Sequence, residues 1–292
     1  MPHIFVQVRK AILLALDHDM FGVAKAAAYS GMLFSFPAIL VLTTLLAQVP
    51  SGSSMVGEVR SSLDQFLPEG SMEMVQSALQ TKHYYSAKVL FSATSLSLFA
   101  GLGLMLSLME GFRRAYEFPR GEWSYGQRVL RAITLVPIVL VPLWLASLLL
   151  VFGQQIEHWM IHNSDRELRH IVLFSWRMAR WALAFATSAS VLAALYHFGT
   201  RRGEHWKWVI PGAFGATAVW FPATLVFGWY VTRVADYSMF YGSFAAGIAT
   251  LVWLYITSLS ALLGAELNGV VFRARQERLS PGAPAPPIAS GS

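Results

Sequence analysis

The chain has 292 residues, of which 55% are hydrophobic and 13% are charged. Soluble domains carry roughly 25% charged residues, so this composition excludes an ordinary water-soluble fold. The absence of cysteine excludes disulfides, thiolate catalysis and cysteine-bound metals, and a net charge of +6 in so apolar a chain indicates membrane topology rather than nucleic-acid binding.

The first 25 residues predict a helix that lies in the cytoplasmic interface of a membrane. Apolar side chains recur at helical spacing at Phe5, Val8, Ile12 and Leu16. The basic residues Arg9 and Lys10 lie off this apolar stripe. A helix packed in the cytosol fits the same pattern. The apolar run 11–16 is too short for a cleavable signal peptide, so we expect the segment to stay attached.

Residues 26–275 predict an all-α, polytopic membrane domain of six transmembrane helices. A helix needs about 20 mostly apolar residues to cross the hydrocarbon core, and six runs of this kind are bounded by charged residues. They are the segments 26–48, 89–109, 132–156, 181–200, 209–232 and 243–265. An even number of spans places both termini on one side of the membrane.

The distribution of Lys and Arg predicts that this side is the cytoplasm. Short cytoplasmic loops retain positive charge, and the connections on the side of the N-terminus hold more of it. The cytoplasmic set is Arg9, Lys10, Lys25, Arg113, Arg114, Arg120, Arg128, Arg131, Arg201, Arg202, Lys207, Arg273, Arg275 and Arg278. The opposite set is Arg60, Lys82, Lys88, Arg166, Arg169, Arg177, Arg180 and Arg233, and the arginines of the loop 157–180 would also suit the cytoplasm.

Two further segments are predicted outside the spans. The connection 49–88 predicts a helical hairpin on the extra-cytoplasmic side, because apolar residues recur at helical spacing before and after Pro68. Residues 276–292 predict a disordered cytoplasmic tail, because they are rich in Pro, Ala and Gly and have no apolar period.

Prolines inside the spans are candidates for a transport pathway, because each removes one backbone hydrogen bond and frees a carbonyl. They are Pro37, Pro137, Pro142 and Pro222. Pro37 is the strongest candidate, since Tyr29 and Ser35 supply hydroxyl groups near it in the sequence. A simple kink, with hydroxyls bonded back to the helix carbonyls, explains the same residues without a substrate.

Charged residues are missing from the middle of every predicted span, so any ion coupling is expected near a membrane interface. Glu110 closes the second span, and Glu266 closes the sixth together with Asn268. We therefore select these three as candidate pathway residues. The alternative is that the acids pair with neighbouring arginines, namely Arg113, Arg114 or Arg273.

Motifs for catalysis are absent from the sequence. His158 and His162 have the spacing of two imidazoles on one helix face, but no HExxH motif or convergent carboxylate accompanies them. The sequence also lacks a Walker loop and a Gly-x-Ser-x-Gly elbow. We therefore predict no enzymatic activity, no cofactor and no bound metal.

Short motifs in several spans carry a family resemblance. AAAYSGMLFSFPAIL covers residues 26–40, with a tyrosine, a serine and a proline at Tyr29, Ser35 and Pro37. Later motifs are PGA at 211–213, FGWYV at 227–231, and YGSF from Tyr241 leading through LVWLY to LLGAELN, which ends at Asn268. In order and spacing these motifs resemble the YihY or BrkB family of bacterial inner-membrane proteins, once labelled ribonuclease BN.

The resemblance implies an integral inner-membrane protein with six helices, from a family suspected of export or envelope-lipid roles. The family motifs add six residues to the candidate pathway or structural-switch residues. They are Pro211, Gly212, Tyr230, Tyr241, Gly242 and Gly264. Close helix packing explains the glycines equally well. The ribonuclease label has no support here, because the sequence lacks paired metal-binding carboxylates and a domain for RNA.

Two functions stay open at this point, ahead of a membrane-associated ribonuclease, which is the least favoured of the three. The first is a transporter, exporter or envelope-lipid-handling permease for an unidentified small molecule or lipid. The second is a scaffold or assembly protein that transports nothing, and whose outer hairpin and basic loops bind partners or anionic lipids. The bilayer is a partner in both cases, nucleic acid is not expected, and a homo-oligomer is compatible with either.

Overall fold

A computed structural model describes residues 2–47, 87–119, 124–139, 169–200, 206–233 and 244–279. Within these ranges the chain forms seven helices and no strand, which confirms the all-α class. In chain order they are α1 (Pro2–Asp17), α2 (Met20–Ala47), α3 (Ala87–Ala115), α4 (125–139), α5 (Arg169–Gly199), α6 (Trp206–Arg233) and α7 (Ala245–Leu279).

Five of the described helices, α2, α3, α5, α6 and α7, are long and apolar enough to cross a membrane. Each covers all or nearly all of one predicted span. The third predicted span is described only as far as residue 139, in α4, and residues 49–86 of the predicted hairpin lie outside the described residues. The six-span count and the hairpin therefore stay predictions.

The outer surface of the helices is apolar, as contact with lipid requires. Large side chains are exposed on the membrane-crossing helices, including Leu33, Phe91, Phe99, Phe214 and Trp229. Many buried side chains are small instead, including Ala24, Ala27, Ala193, Ala213, Ala216, Ala261 and Ala265. Small side chains let backbones approach closely where lipid gives no hydrophobic driving force between helices, so this distribution indicates an integral membrane protein.

Helix α7 lies at the centre of the described bundle, in contact with α1, α2, α3 and α6. Helix α2 also packs along α3, and α5 packs along α6. Phe112, Leu135, Tyr196 and Leu262, from α3, α4, α5 and α7, are almost completely buried in the shared core. A polar side chain on α7 therefore meets groups from several other helices.

The helix ends differ from the predicted span boundaries, because a charged residue ends an apolar run without ending a helix. Helix α5 begins at Arg169 rather than at 181, and α7 continues to Leu279 rather than ending at 265. Residues 276–279 of the predicted tail are thus helical, and residues 280–292 lie outside the described part.

A turn separates α1 from α2 within the predicted N-terminal segment 1–25. The carboxylate of Asp19, a residue with φ of 55°, accepts a hydrogen bond from the Gly22 N–H and caps α2. Ala11 and Ala15 of α1 are buried, while the apolar side chains of Val8, Ile12 and Leu16 are exposed. These three residues of the predicted apolar stripe thus face outward, and the position of α1 in a membrane interface stays a prediction.

Candidate functional site at one end of the bundle

Ion pairs join the ends of several helices at one end of the bundle. Arg114 of α3 lies 3.4 Å from Asp19 in the turn before α2, and Arg273 of α7 lies 2.9 Å from Glu117 after α3. We call this region the polar end and define it by His18, Asp19, Glu110, Arg113, Arg114, Glu117, Arg128, Glu266 and Arg273.

Glu266 is the most deeply buried acid of the polar end. Its side chain is 0% exposed, and its Oε1 lies 2.6 Å from Nδ1 of His18. Its second oxygen, Oε2, is buried and has no hydrogen-bond partner in the part of the chain that the structure describes. A buried carboxylate with one partner costs several kcal/mol unless its charge is compensated, so packing alone does not account for this residue.

The imidazole ring of His18 lies between two carboxylates. Nδ1 contacts Glu266, and Nε2 lies 3.7 Å from Oε1 of Glu117. The exposed fraction rises along this series, from 0% for Glu266 through 18% for His18 to 46% for Glu117. The three groups therefore lie in a series that leads from the interior of the bundle to its surface.

Glu117 owes its position to the way in which α3 ends. Its φ is 55°, and the Phe118 N–H donates to the Arg113 carbonyl, which closes the helix in a Schellman motif. Glycine is the usual residue at such a left-handed position. Arg273 holds this turn, because its Nη1 lies 2.9 Å from Glu117 and also donates to the Ala115 carbonyl at 2.9 Å.

Glu110 is surrounded by guanidinium groups. Arg113 donates to both of its oxygens, at 2.6 and 3.0 Å, and Arg114 donates at 3.3 Å. Arg128 of α4 donates to it at 3.3 Å. The structure therefore shows the predicted alternative for this residue, pairing with Arg113 and Arg114, and adds a partner from another helix.

A cleft of about 430 Å³ opens beside this cluster, between α2 and α3. Val23, Ala26 and Leu106 form apolar parts of its lining, and Asp19, Glu110 and Arg114 add charged groups. Small-molecule sites commonly have volumes of roughly 300–1,000 Å³, so the cleft is large enough for part of a ligand. Its lining suits a ligand with an apolar body and a charged group.

Asn268 and two glycines hold α6 against α7. Oδ1 of Asn268 accepts from the Gly212 N–H at 2.7 Å, and its Nδ2 donates to the Val209 carbonyl at 3.1 Å. Gly212 and Gly264 are so close that a Cβ on either would meet the carbonyl oxygen of the other. Pro211 removes one helix hydrogen bond in this turn, so the amide of Asn268 engages the backbone where the helix is weakened.

The remaining candidates do not join the polar end. Tyr29 and Tyr230 are 63% and 42% exposed on the outside of the bundle, and Pro211 is also exposed. The Ser35 hydroxyl donates to the Met32 carbonyl at 2.9 Å. Pro37 is partly buried and lies roughly 25 Å along α2 from its first residue, and Tyr241 and Gly242 lie outside the described residues.

His18 and Glu117 are site residues that sequence reasoning missed. One feature of the sequence points to His18: the run Asp17-His18-Asp19 lies between two apolar helical segments, so its polar side chains fall where the two helices meet. For Glu117, the nearby Pro119 indicates that a helix ends there. It does not indicate which side chains meet at that helix end.

Comparison with known sequences identifies the family. The profile described as virulence factor BrkB matches residues 12–289, a range that contains the whole polar end. This chain belongs to the BrkB family. The resemblance drawn from the sequence motifs is therefore confirmed.

The BrkB-family chain is 26% identical to the ribonuclease-like protein YfkH of Bacillus subtilis, over 87% of this chain and 92% of that protein. It is 25% identical to a UPF0761 membrane protein of Methylibium petroleiphilum, over 79% of this chain and 54% of the relative. A UPF0761 membrane protein of Delftia acidovorans is 26% identical, over 86% of this chain and 58% of the relative. The chain thus spans little more than half of these two relatives, and no solved structure matches it.

Proposed function

We propose that this BrkB-family protein is a permease or exporter that moves a small molecule or an envelope lipid across the bacterial inner membrane. The observation that carries the proposal is Glu266, fully buried in a membrane-crossing helix with one oxygen unpaired among the described residues. A bundle that only has to pack gains nothing from such a group. Ionisable residues inside membrane domains usually mark substrate or ion pathways.

The cleft between α2 and α3 supports a substrate that combines apolar and charged parts. Its lining pairs Leu106 and Val23 with the charged side chains of Asp19 and Arg114. A phospholipid or an amphiphilic organic anion has this composition. Either would place its charged group near the interface and its apolar part along the helices.

We place the polar end, and with it both termini, on the cytoplasmic side. Support comes from the arginines gathered there, because cytoplasmic segments of membrane proteins retain positive charge. Arg113, Arg114, Arg128 and Arg273 all make contacts at this end. Anionic lipid headgroups of the inner leaflet are the partners that such a surface would attract.

RNA hydrolysis, which the name of the Bacillus relative suggests, is not part of this proposal. Phosphodiester hydrolysis commonly uses metal ions held by converging carboxylates. Glu110 faces three guanidinium groups, and Glu266 faces an imidazole. We expect the purified protein to leave labelled RNA intact with Mg²⁺ or Mn²⁺, whereas cleavage that disappears in Glu110→Gln or Glu266→Gln would contradict this.

Flux in proteoliposomes tests the transport function. The substrates are osmolytes, organic anions and fluorescent phospholipids, and protein-free liposomes of the same composition are the control. We expect protein-dependent movement of at least one amphiphilic substrate. No flux for any substrate, from protein shown by circular dichroism and thermal unfolding to be folded, would favour a scaffold that binds partners or lipid without transport.

A further inference from the structure

We propose that Glu266, His18 and Glu117 form a proton site, in which the buried carboxylate of Glu266 binds a proton and His18 exchanges it with the solvent at the polar end. This inference deepens the proposed function by naming the proton as the coupling ion. The binding of the proton itself does not depend on the identity of the substrate.

The geometry of the ring supports a relay rather than a chelate. Each carboxylate approaches a different nitrogen of His18, Glu266 at Nδ1 and Glu117 at Nε2. Two acids on opposite edges of an imidazole do not converge on a common point that a metal ion would occupy. They are instead placed at the two positions where a ring takes up and releases protons.

Transfer along this path balances without any additional reactant. A proton that reaches Nε2 converts the neutral ring into imidazolium, and the Nδ1–H bond then breaks as its proton moves to Oε1 of Glu266. The ring is neutral again, with its proton on Nε2, and Glu266 is a neutral acid. The reverse sequence returns the proton to the solvent.

The two contacts of the ring have different roles in this transfer. The 2.6 Å contact between His18 and Glu266 is a short hydrogen bond, across which a proton moves without rearrangement. The 3.7 Å contact with Glu117 is too long for a hydrogen bond, so a bridging water or a turn of the exposed Glu117 side chain completes the path.

The charged groups around the ring hold it in place and keep the site close to neutral. Arg114 donates to the His18 carbonyl at 3.2 Å and pairs with Asp19 at 3.4 Å. Arg273 pairs with Glu117 at 2.9 Å. Each of these arginines has its own acid, which leaves Glu266 with His18 as its partner among the described residues.

The unpaired oxygen of Glu266 is the second observation that points to a ligand. Oε2 is buried, and within the described segments nothing donates to it or accepts from it. A buried oxygen without a partner carries a desolvation cost. Binding a proton on the carboxyl group removes the charge that makes this burial costly.

Infrared difference spectroscopy on the full chain in lipid nanodiscs tests the site without any substrate. We expect a downward pH step to produce the carbonyl band of a protonated carboxylic acid that belongs to Glu266. The band should disappear in Glu266→Gln and persist in Asp17→Asn, a control that removes an exposed acid beside His18. A band that is unchanged in folded Glu266→Gln would overturn the proposal.

A second variant keeps the proposal testable if Glu266→Gln does not fold. His18→Gln keeps a hydrogen-bonding amide beside Glu266 but cannot relay a proton. After a rapid pH jump, we expect the acid band to grow about a hundredfold more slowly in His18→Gln than in the wild type. Equal rates would overturn the relay.

The infrared and flux experiments test the proton site and the transport function separately. Proton exchange at Glu266 without flux for any substrate would retain the proton site and reject the transport function. Flux without a Glu266 band would retain transport and reject the proton as the ion held at this residue.

Discussion

Glu266 and His18 depend on one another at the scale of single residues. The carboxylate is fully buried, and its one hydrogen bond among the described residues comes from a ring that lies 248 positions away in the sequence. Removing one member of a buried pair usually costs more than removing both, because the remaining group keeps its desolvation cost without its partner.

A double-mutant cycle measures this dependence. We expect His18→Ala to lower the free energy of unfolding by about 3 kcal/mol, because Glu266 loses its partner. The double variant His18→Ala/Glu266→Leu should recover much of this loss, and Asp17→Ala, on an exposed neighbour, should stay within about 0.5 kcal/mol of the wild type. Thermal unfolding in detergent compares the double variant with both single variants, His18→Ala and Glu266→Leu. A loss in the double variant equal to the sum of the two single losses would show that the two residues do not interact.

Packing at the scale of helices depends on the contact between α6 and α7. Gly212 and Gly264 bring the two backbones together, and Asn268 spans them with two hydrogen bonds. The Tyr196 hydroxyl of α5 donates to the Ala261 carbonyl of α7 at 2.6 Å, so a third helix is fixed to the same surface. This contact supports the turn of α7 that carries Glu266.

Gly264→Ala should disrupt this contact. The added Cβ would lie 2.5 Å from the Gly212 carbonyl oxygen and 2.5 Å from the Tyr196 hydroxyl, so the helices must separate. We expect a loss of about 1–3 kcal/mol, as for overpacked cores. Gly228→Ala on α6 is the matched control, since its Cβ meets nothing within 4 Å and should stabilise the helix by up to about 1 kcal/mol. Equal melting temperatures for the two variants would argue against close contact.

At the scale of the whole molecule, the described helices expose apolar side chains and carry a polar end, and this arrangement predicts the orientation of the chain. The chain has no cysteine, so single cysteines introduced on the surface can be labelled without background. We expect a membrane-impermeant maleimide to label Lys10→Cys and Gln276→Cys from the cytoplasmic side and Lys88→Cys, at the start of α3, from the other side. The reverse pattern would invert the proposed topology.

The sequence predicts the helices of this fold better than it predicts their contacts. Uncharged runs located the membrane-crossing segments, because lipid exposure imposes a composition on every residue of a span. The same patterns singled out Glu266 and Asn268. The partner of Glu266 was missed because sequence spacing reports neighbours within a turn or two, whereas His18 meets Glu266 only through the packing of α1 on α7.

Flux through Glu266→Gln, measured beside thermal stability on the same preparation, shows whether the buried acid serves transport. Glutamine preserves the size of the side chain and its hydrogen bond with His18 while removing the ionisable group. We expect substrate flux in proteoliposomes to fall at least about tenfold, while the melting temperature stays close to that of the wild type and Asp17→Asn keeps full flux. Flux equal to that of the wild type in folded Glu266→Gln would contradict the claim that this buried acid serves transport.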